Sequence, residues 1–424
     1  MKKLLIKDAK IICAENNINE KSDLLIEDGM IKQISQNIEL DDVETIDAKG
    51  LTLIPGLVDM HCHLREPGYE YKENIYTGSR AAAKGGFTSI ACMANTNPIN
   101  DNPSITASIL ETVKTDSVVN VYPIGAITKK LAGKELVEMG MMKDAGCVAF
   151  SDDGKGVSTS KMMYNAMLYA KQFDMPIISH CEDELASGGC INEGIMSTRL
   201  GMPGINRAAE EIMVFREIAL AEALETNVHI AHISTKGSVE IIRNAKERGV
   251  KVTCETCPHY ITGTEELTSD YDTSTKVNPP LRTENDRLAI IEGIVDGTID
   301  VIATDHAPHH IDDKLVEYQN AAMGISGFET AFSLCYTHLI ENNKISVDKL
   351  VELMCVNPAR ILNINAGALS LGTKADITLI DENTTYKIDV ASFVSKGKNN
   401  PFDAKEVKGK VMTTLVNGKV VYKA

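Results

Sequence analysis

The stretch PGLVDMHCHLREPG, residues 55–68, decides how the rest of the chain is read. Leu57–His61 is a short apolar run that closes on a histidine, and His63 follows after one residue. Side chains alternate along a strand, so both imidazoles point the same way while Cys62 points the other. Two imidazoles at the C-terminal end of a strand are half of a metal site, and other strands of this chain end in the same manner.

Outward from this point, seven further apolar runs follow: Phe87–Met93, Val119–Gly125, Cys147–Ser151, Pro176–His180, Val228–His232, Lys251–Glu255 and Asp300–Asp305. Most have the near-continuous apolar character of strands buried on both faces. Amphipathic helical patterns lie between them, among them Lys161–Lys171, Ala208–Leu224, Ser238–Glu247 and Asp286–Val295. Eight strand-then-helix units predict an α/β chain folded as a (β/α)8 TIM-type barrel. An open doubly wound sheet would more often show a Gly-rich phosphate loop after its first strand, and none is present. The two ends read differently. Asp28-Gly29 separates the strand-like Leu24–Ile26 and Met30–Ile34; the tail carries Ala375–Ile380, then Met412–Val416 and Lys419–Tyr422 around Asn417-Gly418, a hairpin signal. Each end has too few strands to stand alone. Residues 1–54 and 367–424 are therefore expected to form one small β-sandwich domain beside a barrel of residues 55–366.

A length of 424 residues accommodates this plan. The net charge of −16 argues against a nucleic-acid groove, which needs a basic stripe, but leaves room for a local cationic pocket that binds a small anion. No apolar run is long enough to span a bilayer, so no membrane partner is expected. The first residues carry two lysines without a sustained apolar core or a small-residue cleavage site, so no signal peptide is expected and the location reads as cytoplasmic. Of the ten cysteines, Cys92, Cys147 and Cys254 lie in strand-like runs and read as packed free thiols. Cys254 and Cys257 have C-x-x-C spacing, but there is no second half of a zinc knuckle and no thioredoxin-like context, so they too read as packing.

The acids and histidines fall where a barrel does its chemistry. His180 ends the fifth run, His232 the sixth and Asp305 the eighth, while Asp152 and Asp153 follow the fourth. In a barrel all of them converge with His61 and His63 at the C-terminal mouth. Any one histidine alone would read as a satisfied buried imidazole; the set reads as a metal site. Four histidines and two carboxylates suit two borderline divalent ions, zinc foremost, with iron, cobalt or manganese as substitutes. A carboxylate can bridge two cations, and a hydroxide shared between them is a nucleophile at neutral pH. His229, one residue off the alternation that faces the mouth, reads as packing or surface, as do His259, His310 and His338. His306 reads as a group supporting its neighbour Asp305.

On these residues the chain resembles the class I, bacterial-type dihydroorotases of the amidohydrolase superfamily. Residues 55–68 are similar to the strand-one signature of cyclic amidohydrolases, and Arg65, two residues after His63, is typical of dihydroorotases. SDDGKGV (151–157), SHCED (179–183), HIAHIST (229–235), KVNPPLR (276–282), ATDHAPH (303–309) and GISGFETAF (324–332) recur in the same order in that family. The resemblance runs over essentially the whole chain. It implies reversible, zinc-dependent cyclisation of N-carbamoyl-L-aspartate to L-dihydroorotate plus water, the third step of pyrimidine synthesis. It also implies that His61, His63 and Asp305 hold one metal ion and His180 and His232 a second. Related hydantoinases bridge the ions with a carboxylated lysine. CVAFSDDG (147–154) has no lysine at that strand end, so the class I pattern assigns the bridge to Asp153 together with hydroxide, with Asp152 the fallback; Lys155 is not expected to bridge.

For the substrate, Arg65 offers a planar fork that matches the ring carboxylate. By similarity Asn95 and His309 complete the carboxylate clamp, Asn278 contacts the ring amide, Met323 and Gly324 give backbone contacts, and the ligand His63 also touches substrate. The chain departs from the pattern in having Ala-Met-Gly where many relatives have Pro-Phe-Gly, and MANTNP where they have a proline before the asparagine. Residues 307–324 are long and polar for a strand-to-helix connection, which suits a mobile lid. The implied mechanism has hydroxide attacking the ring amide carbonyl while Asp305 carries its proton to the departing nitrogen. An allantoinase or hydantoinase would share the two histidines and the distal aspartate, but the Arg65, Asn95 and His309 set and the missing lysine favour a carboxylate-bearing substrate. An inactive scaffold for aspartate transcarbamoylase is a third reading, against which the full ligand set argues; association with that enzyme is compatible with activity. A homodimer is expected from the family.

Overall fold

The computed structural model describes residues 2–424. Eight parallel strands form its centre: Leu57–Cys62, Phe87–Cys92, Asn120–Gly125, Ala149–Phe150, Ile178–Ser179, Val228–Ile230, Val252–Thr256 and Val301–Ile302. The first two are buried at every position, as strands covered on both faces must be. The first four pair in sequence, and so do the last four. Single parallel bridges, Phe150 to Ile177 and Cys62 to His306, join the two halves and curl the sheet closed.

A buried carboxylate reinforces that closure. Asp59 of the first strand accepts the Thr304 backbone N–H at 2.9 Å and the Thr304 hydroxyl at 2.6 Å, tying the first strand to the end of the eighth. Burial, helped by the nearby Glu255 charge, pushes the Asp59 carboxyl up to about 7 despite these donors.

Several ladders stop short of the runs read from sequence. His232 and Asp305 fall beyond their strands, with φ of 30° and 44°, and Arg65 has φ of 62°. An extended backbone cannot adopt these values. Non-glycine residues held there are strained, and such strain gathers at functional sites.

Helices cover the ring. Ser160–Lys171, Lys236–Glu247 and Glu284–Val295 begin one or two residues before their apolar patterns, because Thr159, Thr235 and Thr283 cap them by accepting N–H groups of the first turn. Each such cap stabilises its helix by about 0.5–2 kcal/mol. Ala208–Leu224 turns Met213, Val214, Ile218 and Ala221 inward.

Both chain ends meet in one eight-stranded sheet. Its order runs Lys419–Lys423, Glu406–Val416, Ile377–Lys387, Thr52–Pro55, Lys3–Cys13, Ile18–Glu27, Met30–Ser35, with Glu44–Asp47 alongside Lys3–Cys13. The antiparallel pairing of Ile377–Ile380 with Thr52–Pro55 is the seam between the two ends. Ile6, Ile11, Leu24, Leu53, Ile377 and Leu415 bury one apolar cluster there. Among the described residues no helix is long and apolar enough to cross a membrane.

Candidate active site

The six predicted metal ligands come together at the C-terminal mouth of the barrel, all buried. Asp153 lies at their centre. Its Oδ1 is 3.4 Å from His61 Nε2, 3.3 Å from His180 Nδ1 and 3.4 Å from His232 Nε2, and its Oδ2 is 3.4 Å from His63 Nε2. Asp305 Oδ1 is 3.1 Å from His63 Nε2 and 3.5 Å from His61 Nε2. The neighbouring Asp152 is turned away: it accepts the backbone N–H groups of Ile127 and Thr128 at 2.8 and 2.9 Å, and the Thr128 hydroxyl. Of the two aspartates, only Asp153 faces the imidazoles.

The electrostatics of this cluster call for a cation. Burial opposes charge on His180, yet the Asp153 and Glu182 carboxylates outweigh it and raise the imidazole to about 10. His61 is raised well above the ordinary histidine range for the same reason, with burial opposed by Asp153, Glu255 and Asp305. Burial would raise Asp153 and Asp305, but the surrounding imidazoles hold both below the usual carboxylate value. His61 Nε2 has no hydrogen-bond partner although buried. The donor atoms of His61, Asp153 and His232 lie within 4.8 Å of one another, and so do those of His61, His63 and Asp305. Imidazole and carboxylate donors at this spacing fit divalent metal ions.

Two carboxylates behind the ligands were not foreseen. Glu255 Oε1 lies 2.5 Å from His61 Nδ1, and Glu182 Oε2 lies 3.6 Å from His180 Nε2. Both had a signal in the sequence: Glu255 ends the seventh apolar run, and Glu182 is the first of the two acids of SHCED. His306, expected to support Asp305, instead stacks on Phe328 with ring centroids 4.0 Å apart and faces Glu73 at 3.5 Å. All ten cysteines are free and buried. Cys254 donates to the Thr298 carbonyl, while Cys257, His259 and Asp305 form a further group of three donors.

A cleft of about 190 Å³ opens over the cluster, lined by His63, Arg65, Asn95, Asn278, Met323 and Gly324 together with Asp153, His180, His232 and Asp305. Arg65 donates to the Pro308 carbonyl at 3.2 Å and lies 3.3 Å from His309 Nε2. His309 Nε2 is also 2.9 Å from the Met323 carbonyl. Asn95 Oδ1 is 2.9 Å from His63 Nδ1, and Asn278 donates to Glu182. Gly324 has no substitute: at φ of 149°, a Cβ would fall 2.5 Å from the Ala307 carbonyl oxygen. Residues 307–324 are anchored through Lys314, whose ammonium donates to the carbonyls of Thr273, Lys276 and Ala322. A larger cavity of about 610 Å³ lies at the opposite, N-terminal end of the barrel, lined by Lys171, His229, Lys251, Thr253 and Arg360. No group of metal donors converges on it among the described residues.

This barrel, with histidines and aspartates at its mouth, is the fold of the amidohydrolases. It is similar to L-hydantoinase from Arthrobacter aurescens (TM-score 0.88, 25% identity, covering 100% of this chain and 96% of that one). It is also similar to dihydropyrimidinase from Brevibacillus agri (TM-score 0.86, 22% identity, 99% and 95%). Residues 50–238 match the dihydro-orotase-like family model. The chain is 54% identical to the dihydroorotase of Acetivibrio thermocellus over 99% of its length and 98% of the relative's. It is 50% identical to that of Geobacter metallireducens over 99% of both. The chain belongs to the dihydroorotase family.

Proposed function

We propose that this chain catalyses the metal-dependent, reversible interconversion of N-carbamoyl-L-aspartate and L-dihydroorotate. The observation that carries the reading is the pairing of a metal-donor cluster with a cationic, fork-shaped side chain on one small cleft: Arg65 stands beside the pole formed by His61, His63, Asp153, His180, His232 and Asp305. A neutral cyclic amide has no need of Arg65; a ring bearing a carboxylate does.

In this reading the metal is zinc, two ions per chain: His61, His63 and Asp305 would hold one, His180 and His232 the other, and Asp153 would serve both. When bound, such ions supply Lewis acidity toward an amide carbonyl and lower the pKa of water. The chain's own groups do the rest. Arg65, Asn95 and His309 fix the substrate carboxylate, Asn278 addresses the ring amide, and the backbone of Met323 and Gly324 closes the pocket. Asp305, held ionised by His61 and His63, would accept a proton from the water whose oxygen bonds to the amide carbon, and return it to the ring nitrogen as the C–N bond breaks; cyclisation runs the same transfer in reverse.

The domain division 1–54 and 367–424 beside 55–366, with the ends folded as a sandwich, belongs to the same proposal. It is supported by a second apolar cluster, Leu5, Leu25 and Ile38, in which Leu5 and Leu25 alternate along their strands with Leu4, Ile6, Leu24 and Ile26 of the main one. A cytoplasmic location, a homodimer and association with aspartate transcarbamoylase complete the proposal. The test is turnover of metal-replete protein with L-dihydroorotate beside hydantoin and allantoin, with metal content assayed. Selective dihydroorotate hydrolysis is expected; turnover of the neutral rings instead would overturn the assignment.

A further inference from the structure

We infer that Glu255 and His229 are a positioning pair that sets the affinity of the ion held by His61. The inference rests on the metal reading above and extends it to residues that touch no ion.

His61 Nε2 faces Asp153 and Asp305, so a neutral His61 acting as a ligand there has its only ring proton on Nδ1. That proton is directed at Glu255 Oε1, 2.5 Å away. Ring rotation is thereby fixed before any ion arrives, and an ion that displaces the Nε2 proton leaves the remaining one on Nδ1, facing Glu255. Glu255 is itself fully buried. A carboxylate in such a place is tolerated only with donors on its oxygens. His229 Nε2 supplies the second, 3.3 Å from Glu255 Oε2. His229 Nδ1 lies 2.8 Å from the Thr253 hydroxyl, its register partner on the next strand. With Thr253 donating to Nδ1, the His229 proton stands on Nε2, where Glu255 needs it. The result is a chain that converges on Glu255: Thr253 donates to His229, and His229 and His61 each donate to one oxygen of the Glu255 carboxylate. It starts at the cavity at the N-terminal end of the barrel and ends at the metal pole.

His180, a ligand proposed for the second ion, lacks so close a carboxylate. Glu182 stands 3.6 Å from His180 Nε2, which finds no hydrogen-bond partner. The Glu255 and His229 brace therefore serves the ion that His61 would hold.

The test is zinc binding to metal-free protein, by competition with a chromophoric chelator, for the unsubstituted chain, Glu255→Gln, His229→Leu and His229→Gln. Glu255→Gln should weaken one ion by about 10–100-fold and spare the other. His229→Leu should weaken the same ion, and His229→Gln, whose amide can still donate to Glu255, should recover much of the loss. Should Glu255→Gln fail to fold, the contrast between His229→Leu and His229→Gln carries the test. Unchanged affinity in the variants would overturn the pair while leaving the metal site intact. So would equal weakening of both ions with a matching drop in metal-free melting temperature, the signature of a merely structural role. An unsubstituted chain that binds no zinc would remove the metal reading and this pair with it.

Discussion

Arg65→Met isolates substrate recognition from chemistry. Arg65 is half-buried, with Nε committed to the Pro308 carbonyl at 3.2 Å and Nη2 beside His309, and the guanidinium lines the cleft. Two charge-assisted hydrogen bonds to a substrate carboxylate contribute about 1.5–3 kcal/mol each, so losing both removes about 3–6 kcal/mol. That corresponds to a fall in kcat/KM of about 10²–10⁴-fold. Loss of the donor to Pro308 adds about 1 kcal/mol of destabilisation, readable separately by urea unfolding. The assay compares L-dihydroorotate with dihydrouracil, the same ring without its carboxylate, in wild type and variant. The ratio of the two specificity constants should collapse because dihydroorotate hydrolysis falls and dihydrouracil hydrolysis does not. Arg65→Lys should fall between, retaining charge without the fork. Equal losses on both rings, or near-normal dihydroorotate kinetics, would refute the clamp.

Asp305→Asn removes the proton acceptor while leaving Arg65 and Asn95 in place; turnover should fall by about 10²–10⁴-fold with substrate affinity little changed, and an active variant would end that role. Stripping the metal with a chelator should destabilise the fold by about 2.7 kcal/mol relative to protein in zinc at a hundredfold its Kd, measured by denaturant unfolding with and without added zinc; identical curves would contradict the site. His309 gives a pH signature. Burial, then the Arg65, Lys72 and Lys314 charges, lower its pKa to about 2, against 6.5 for a free imidazole. Between these values the unfolded chain binds a proton that the folded chain refuses. The contribution is therefore complete above pH 6.5 and is lost as pH falls, at up to about 1.4 kcal/mol per pH unit. His309→Gln should flatten the decline in stability between pH 6 and pH 4.5, and an unchanged slope would exclude His309 as its source.

The barrel was legible because its signal is periodic: eight apolar runs with an acid or histidine at many of their ends locate both the fold and its mouth. What escaped depends on pairing between strands, which one sequence does not record. Alternation cannot separate Asp152 from Asp153, since both lie past the strand where the alternation ends. The choice is made by the Ile127 and Thr128 amides, which take Asp152 for themselves. His229 read as packing for the same reason: its partner Thr253 and its acceptor Glu255 lie on the next strand, and only the register brings them level. Strand lengths were overestimated because apolar character continues past the last ladder pair, into residues such as His232 and Asp305 whose φ angles leave the extended region.

The molecule divides its labour between elements of different stiffness. The candidate metal donors sit at or just past strand ends, braced from below by Glu255 and along the closing seam of the barrel by Asp59, so their geometry is held by the barrel itself. The substrate groups sit on loops, where side chains can change without disturbing the donors. Those loops would be too loose to aim Arg65 and His309 if nothing secured them, and part of what does comes from the far end of the chain. Asn399 accepts the His309 backbone N–H at 3.0 Å and donates to the carbonyls of Ala307 and Gly324 at 3.1 and 2.8 Å. One asparagine from the C-terminal segment thus pins both ends of the 307–324 loop and the residue that aims the clamp. If Arg65 and His309 clamp the ring carboxylate as proposed, the C-terminal segment takes part in aiming that clamp as well as in completing the terminal sheet.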